Sequence, residues 1–237
     1  MATPQTAFQH QSEGARQHLE ELARRAADPE DPMTITYEEF LEWADEDTRA
    51  EWVDGKIEMS SPASLRHQQI GLFLVTVNSM YARVLDLGTV LPPPFQMKLP
   101  LSGREPDLIF IAKQHEERIR NTFVDGPVDL AVEIVSPESV KRDRETKLRE
   151  YGQGGVGEYW LVDPRKNEAR FYQLDASGAY IQMAPDAAGT YRSRALPGFW
   201  LEVAWLWRDP LPDVIVTLSA IAGDAFRRYV TERLQQG

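Results

Sequence analysis

The sequence predicts one domain of α/β (α+β) class, a mixed central β-sheet flanked by helices. Three observations carry this. Apolar runs of strand length recur at residues 108–111, 130–135 and 159–162. Residues 65–87 place Ile70, Phe73, Leu74, Val77, Tyr81 and Val84 at helical spacing. A charged helical segment carrying Lys141 to Arg149 separates the second strand from the third. No internal repeat or low-complexity block competes with this reading.

In chain order, residues 1–32 are polar and read as a partly disordered appendage. Within it residues 18–27 are a candidate short helix, stopped by Asp28-Pro29-Glu30-Asp31-Pro32. The domain is expected over residues 33–207. Thr36 and Glu39 form a capping box for a short helix whose apolar stripe is Tyr37, Phe40, Leu41 and Ala44, ending among Asp45, Glu46 and Asp47. Asp54-Gly55 between Trp52-Val53 and Ile57 predicts a tight hairpin. Ser64 caps the long helix, and Gly88 is placed as its C′ residue. Residues 95–99 form a strand, Ser102-Gly103 a turn, and Asp107 heads the next strand. Residues 114–120 read as a short charged helix or loop, and residues 121–127 lead into the strand of Glu133. That strand stops at Ser136-Pro137, and the charged helix runs to Gly152, Gly154 and Gly155. Residues 158–163 are a strand. Residues 169–174 and 180–183 form a hairpin, and residues 201–207 a closing strand or edge. Residues 208–237 are a C-terminal amphipathic helix, suited to packing on the body or on a second copy.

Composition narrows the function classes. With 237 residues, 42% hydrophobic and 27% charged, the chain can bury one core of good size. It has no cysteine, which excludes disulfides, thiolate metal sites and a cysteine nucleophile and fits a reducing cytoplasm, the expected location. No apolar run approaches a membrane span, and no signal-peptide core is expected. A net charge of −11 weighs against a broad basic nucleic-acid surface, although a bound metal would supply positive charge locally. Lys141, Arg142, Arg144, Lys147 and Arg149 alternate with Glu138, Asp143, Glu145 and Glu150, mostly the pattern of a solvated helix.

Glu133 stands out because Leu130, Val132, Ile134 and Val135 around it are all apolar. A lone carboxylate there must be paired, hydrogen-bonded or bound to a metal. Asp107 heads a second strand and Lys147 lies on the helix after the first. Two acids near one sheet edge with a lysine close by suit a hard divalent cation and phosphate. The plain alternatives are that Asp107 merely starts a strand and that Lys147 merely pairs with Asp143 four residues earlier. Glu51 at the start of the hairpin either points into a site or faces solvent as a helix-exit charge. His67 and Gln68, in the first turn of the long helix, either cap it or contact substrate.

Together these motifs resemble the Uma2 family of restriction-endonuclease-like proteins. The residues are Glu51-x-Val53-Asp54-Gly55, Ser64-x-x-His67-Gln68, Pro106-Asp107-Leu108, Val132-Glu133-Ile134-x-Ser136-Pro137, Asp143-x-x-x-Lys147 and Glu158-Tyr159-Trp160-Leu161-Val162-Asp163-Pro164. The resemblance, over residues 33–207, implies a restriction-endonuclease-like core of the PD-(D/E)xK superfamily. It implies that Asp107 and Glu133 are catalytic acids holding Mg²⁺ or Mn²⁺, that Glu51 is an additional acid, and that the substrate is nucleic acid, DNA first. The lysine usual two residues after the second acid is Val135 here, and Lys147 stands in for it. Arg144 joins His67 and Gln68 as a candidate substrate contact, and a homodimer is expected for cutting two strands. Two other classes stay open: a nucleic-acid-binding or regulatory protein that keeps the fold without turnover, and a hydrolase of another phosphate ester.

Overall fold

The computed structural model describes residues 34–44, 50–59, 63–137 and 139–236. The expected N-terminal appendage and its candidate helix lie outside them. The chain divides into two compact units, Met1–Ser60 with Leu101–Arg104, and Ser61–Pro100 with Glu105–Gly237.

In the first unit, helix α1 (Tyr37–Trp43) begins as its capping box requires. The Thr36 hydroxyl accepts the Glu39 N–H at 3.1 Å and Glu39 Oε2 accepts the Thr36 N–H at 2.7 Å. Strands β1 (Ala50–Val53) and β2 (Lys56–Met59) form the predicted hairpin. Asp54 and Gly55 turn it with φ of 48° and 79°, and a Cβ at Gly55 would lie 2.6 Å from Thr34 Cβ, so only glycine fits. Ser102 and Gly103, expected as a turn, belong instead to β5 (Ser102–Arg104), which pairs with β1 through Trp52 and Gly103. Pairing with a distant strand has overridden local turn propensity.

The second unit is built on a six-stranded sheet. Its strands are β3 (Gly88–Leu91), β6 (Leu108–Ala112), β8 (Leu130–Ile134), β9 (Glu158–Asp163), β10 (Glu168–Leu174) and β11 (Tyr180–Met183), in spatial order β11-β10-β9-β8-β6-β3. Only β8 and β9 run parallel, so a crossover must join them. That crossover is the charged helix: a π-helical turn, Arg142–Lys147, continuing into α3 (Leu148–Gly154), which Gly155 ends at φ 87°. A short pair, β4 (Gln96–Leu99) with β7 (Phe123–Asp125), lies in the same unit. So does a hairpin of β12 (Thr190–Arg192) and β13 (Trp200–Glu202).

Alternation along the strands divides the core in two. Leu108, Phe110, Leu130, Val132, Ile134, Trp160 and Val162 pack with Ile70, Phe73, Leu74, Val77 and Tyr81 of α2 (Leu65–Val84) and with Leu218 and Phe226 of α4 (Val214–Gln236). Ile109, Ile111, Ala131, Val135, Tyr159 and Leu161 turn the other way, towards Tyr151 of α3 and towards Met97, Leu99 and Val124. A sheet covered on both faces requires near-continuous apolar strands. The C-terminal helix thus belongs to the core of this unit, with a break at Gly223, while its distal end is exposed. No described helix is long and apolar enough to cross a membrane.

Several boundaries differ from expectation. Helix α2 ends at Val84, where Asp86 takes φ 53° in place of Gly88. Gly88 instead opens β3 opposite Ala112, where a Cβ would lie 2.1 Å from the Ile111 carbonyl oxygen. Residues 201–207 are strand only to Glu202 and then a 3₁₀ turn, Val203–Trp207. Strands β7 and β12 fall in segments with no strand period. The charged segment after β6 is a 3₁₀ helix, Lys113–Arg118.

Glu158 at the head of β9 is fully buried and ties the β12–β13 region to the sheet. Its carboxylate accepts from Trp160 Nε1 (2.5 Å), the Tyr191 hydroxyl (2.7 Å), the Ser193 hydroxyl (3.2 Å) and the N–H groups of Arg194 and Ala195 (2.8 Å each). Removing it leaves buried donors without a partner. Glu158→Ala is expected to lower unfolding free energy by about 3–5 kcal/mol in urea titrations, against about 1 kcal/mol or less if water satisfied those donors instead.

Candidate active site

The register of two antiparallel strands creates the site. Leu108 pairs with Val132, so one step further Asp107 falls opposite Glu133. Asp107 thus lies at the strand end next to the Glu133 position. Asp107 Oδ2 accepts the backbone N–H of Ile134 at 2.7 Å, which fixes the carboxylate across the strand end. His67 Nε2 lies 3.3 Å from the same oxygen. Ser64 caps α2 by accepting the His67 N–H, and this first turn brings the imidazole to Asp107.

Glu133 is answered from the crossover, by the last residue of the π turn and by α3. Lys147 Nζ lies 2.8 Å from Oε1, and the Tyr151 hydroxyl donates to the same oxygen at 2.5 Å. Glu133, Lys147 and Tyr151 are all buried, so charge pairing and hydrogen bonding offset desolvation of the ions. Lys147 and Tyr151, four residues apart, occupy one helical face. Asp143 Oδ1 is 3.9 Å from the same ammonium, and it too is buried. The pairing of Lys147 with Asp143 is therefore internal, unlike an exposed helix-surface pair. Burial raises the Asp143 pKa above the ordinary carboxyl value, with Asp107 adding to the rise and Lys147, Ser139 and Arg142 opposing it. The Tyr159 hydroxyl donates to the Asp143 carbonyl at 3.0 Å; burial holds its pKa well above normal, and Glu133 and Asp143 push it the same way.

The structure thus brings His67 to Asp107 and Lys147 to Glu133, on neighbouring strands. Gln68 is exposed on the next position of α2. Arg144, expected to contact substrate, is engaged internally: its guanidinium lies 2.9 Å from Asp163 and 2.6 Å from Glu168, holding the π turn to strands β9 and β10. Glu51 lies in the first unit, buried in an ion pair 3.0 Å from Arg104, which also meets Glu58 at 2.9 Å. Asp143, read from sequence only as a motif position and helix partner of Lys147, and Tyr151, not singled out, carry the site's other close contacts. Their signal was positional, since Asp143, Lys147 and Tyr151 recur every four residues on the crossover.

The donor chemistry fits a hard cation. Asp107 and Glu133 offer carboxylate oxygens from adjacent strands, and Asp107 retains 21% side-chain exposure as a route from solvent. Among the described residues, no group of three or more His, Cys, Asp or Glu side chains could hold a metal ion. Mg²⁺ typically takes one or two carboxylates and completes its shell with water and phosphate.

The model of the Uma2 family, described as "Putative restriction endonuclease", matches residues 37–204. Among solved structures, the chain is similar to one described as a putative nuclease belonging to DUF820 from Anabaena variabilis. The TM-score is 0.62 at 18% identity, over 73% of this chain and 97% of the other. At that identity the likeness is one of fold, a mixed α+β nuclease-like fold. A search of curated proteins finds no match.

The His67–Asp107 contact has a pH signature. Burial opposes protonation of His67, but the Asp107 hydrogen bond and charge, the Ile134 backbone and Asp143 outweigh it and raise the pKa above 6.5. A raised histidine pKa stabilises the fold fully below the unfolded value and loses that contribution as pH rises through the folded value. In EDTA, the stability gap between wild type and His67→Gln should therefore be widest near about pH 5 and shrink towards about pH 9 in denaturant titrations. A gap that widens with pH would contradict the assignment.

Proposed function

The chain belongs to the Uma2 family, and from that premise we propose that it is a metal-dependent endonuclease that hydrolyses phosphodiester bonds, with DNA as substrate. The observation that carries this reading is the buried Glu133–Lys147 pair set beside Asp107 on the paired strand. Asp107 and Glu133 are assigned to Mg²⁺ or Mn²⁺. When bound, such an ion lowers the pKa of a water and draws charge from the scissile phosphate.

The remaining work falls to the protein. The Ile134 N–H and His67 hold Asp107 at the strand end, and Tyr151 holds Glu133 against the sheet. Lys147 supplies a buried ammonium that orients the attacking water or stabilises charge on the phosphate as the bond breaks. Its place on the crossover compensates for Val135, where an ammonium two residues past Glu133 would have to leave the apolar face packed by Ile109 and Tyr159. A homodimer would present two such sites to two strands. A second reading, a nuclease fold that binds nucleic acid without turnover, draws on the fact that Lys147 and Tyr151 already occupy Glu133 Oε1.

Cleavage of supercoiled plasmid and of single-stranded DNA separates these readings. Wild type with Mg²⁺ or Mn²⁺ should nick both and fail in EDTA. Glu133→Gln and Lys147→Ala, checked for folding by circular dichroism, should each lose about 100-fold or more in rate. Activity undiminished in Glu133→Gln would contradict the assignment. DNA binding without cleavage in any metal would favour the non-catalytic reading, and release of phosphate from a smaller ester alone would change the substrate class.

A further inference from the structure

Asp143 has no part in the mechanism above, yet it sits at the heart of the site. It is buried, and its Oδ1 has no hydrogen-bond partner. Two cations stand just outside reach, Lys147 Nζ and Arg142 Nε, each 3.9 Å away. A buried carboxylate oxygen left unbonded in a native site calls for a use. Lys147 is meanwhile bonded to Glu133 Oε1 at 2.8 Å, so its ammonium lies between two acids and bonds one of them.

We propose that Asp143 is a positioning residue that receives the Lys147 ammonium when Glu133 turns to a divalent cation. This rests on the metal-site reading of Asp107 and Glu133. The geometry asks little: Nζ must approach Oδ1 by about 1 Å to form a hydrogen bond, within the reach of a flexible lysine stem. Charge asks for the same exchange. Asp107, Glu133 and Asp143 gather three carboxylates near the Lys147 ammonium, with Arg142 beside Asp143 and His67 beside Asp107, and a divalent cation adds positive charge there without expelling Lys147. The exchange frees Glu133 Oε1 from its ammonium, satisfies the unbonded Asp143 oxygen and keeps a cation buried beside the scissile phosphate. The π turn matters here because it carries both Asp143 and Lys147 into the interior on the same side of the crossover.

Crystal structures of the full chain grown with and without Mn²⁺ test the exchange. With Mn²⁺ on Asp107 and Glu133, Lys147 Nζ should lie about 3 Å from Asp143 Oδ1 and no longer contact Glu133. Calorimetric titration of Asp143→Asn should show Mn²⁺ affinity about tenfold or more below wild type, with Asp143→Glu recovering part of the loss. Nζ still on Glu133 beside a bound ion would overturn the exchange while leaving the metal site standing. Mn²⁺ ligated by Asp143, or Arg142 bonded to Oδ1 in place of Lys147, would overturn it too. Absence of Mn²⁺ binding by wild type would overturn the metal-site reading itself. If Asp143→Asn does not fold, the two wild-type structures decide.

Discussion

A carboxylate in the middle of a strand buried on both faces is the constraint from which the site follows. Glu133 is buried, and an uncompensated ion there would cost several kcal/mol even after local relaxation. A cation must therefore come from an element that covers that face, and the element is the crossover that a parallel β8–β9 pair demands. The same segment meets two requirements at once: it returns the chain to begin β9 and delivers Lys147 and Tyr151 to one carboxylate oxygen. The π turn and the Arg144 clamp on Asp163 and Glu168 hold that delivery in register.

The electrostatics of this segment bear on how an acidic chain could approach a polyanion. Its five basic residues read as a solvated face, and that holds for Lys141 and Arg149, which are exposed. Lys147 is buried and Arg144 is committed to two carboxylates. Little free positive charge remains on this helix, and the net charge is −11. Attraction to phosphate would then be local, from a cation held by Asp107 and Glu133, with weak long-range steering.

Local rules were legible in the sequence and long-range ones were not. The Thr36 capping box, the Asp54-Gly55 hairpin, the Ser64 cap and the strands of Asp107, Glu133 and Glu158 depend on neighbours a few residues apart, and each formed as expected. Ser102-Gly103 carries turn chemistry but is drawn into pairing with β1. Gly88 looks like a helix terminator but leaves room for the Ile111 carbonyl across the sheet. In the site, Glu133 was conspicuous because its neighbours are apolar, whereas Asp143 was hidden among charges that resemble an exposed helix. Glu51 and Arg104 meet only because β1 and β5 pair, a contact across 53 positions that no local pattern announces. Glu158 drew attention as a strand start, and its five donors come mostly from residues more than thirty positions away.

The central claim is that Asp107 and Glu133 form one divalent-cation site. Equilibrium binding of Mn²⁺ to the full chain, compared with Asp107→Asn, tests it most directly. The account predicts saturable binding to wild type that falls by about tenfold or more when Asp107 loses its charge. Binding unchanged in Asp107→Asn would place the ion elsewhere and contradict the account.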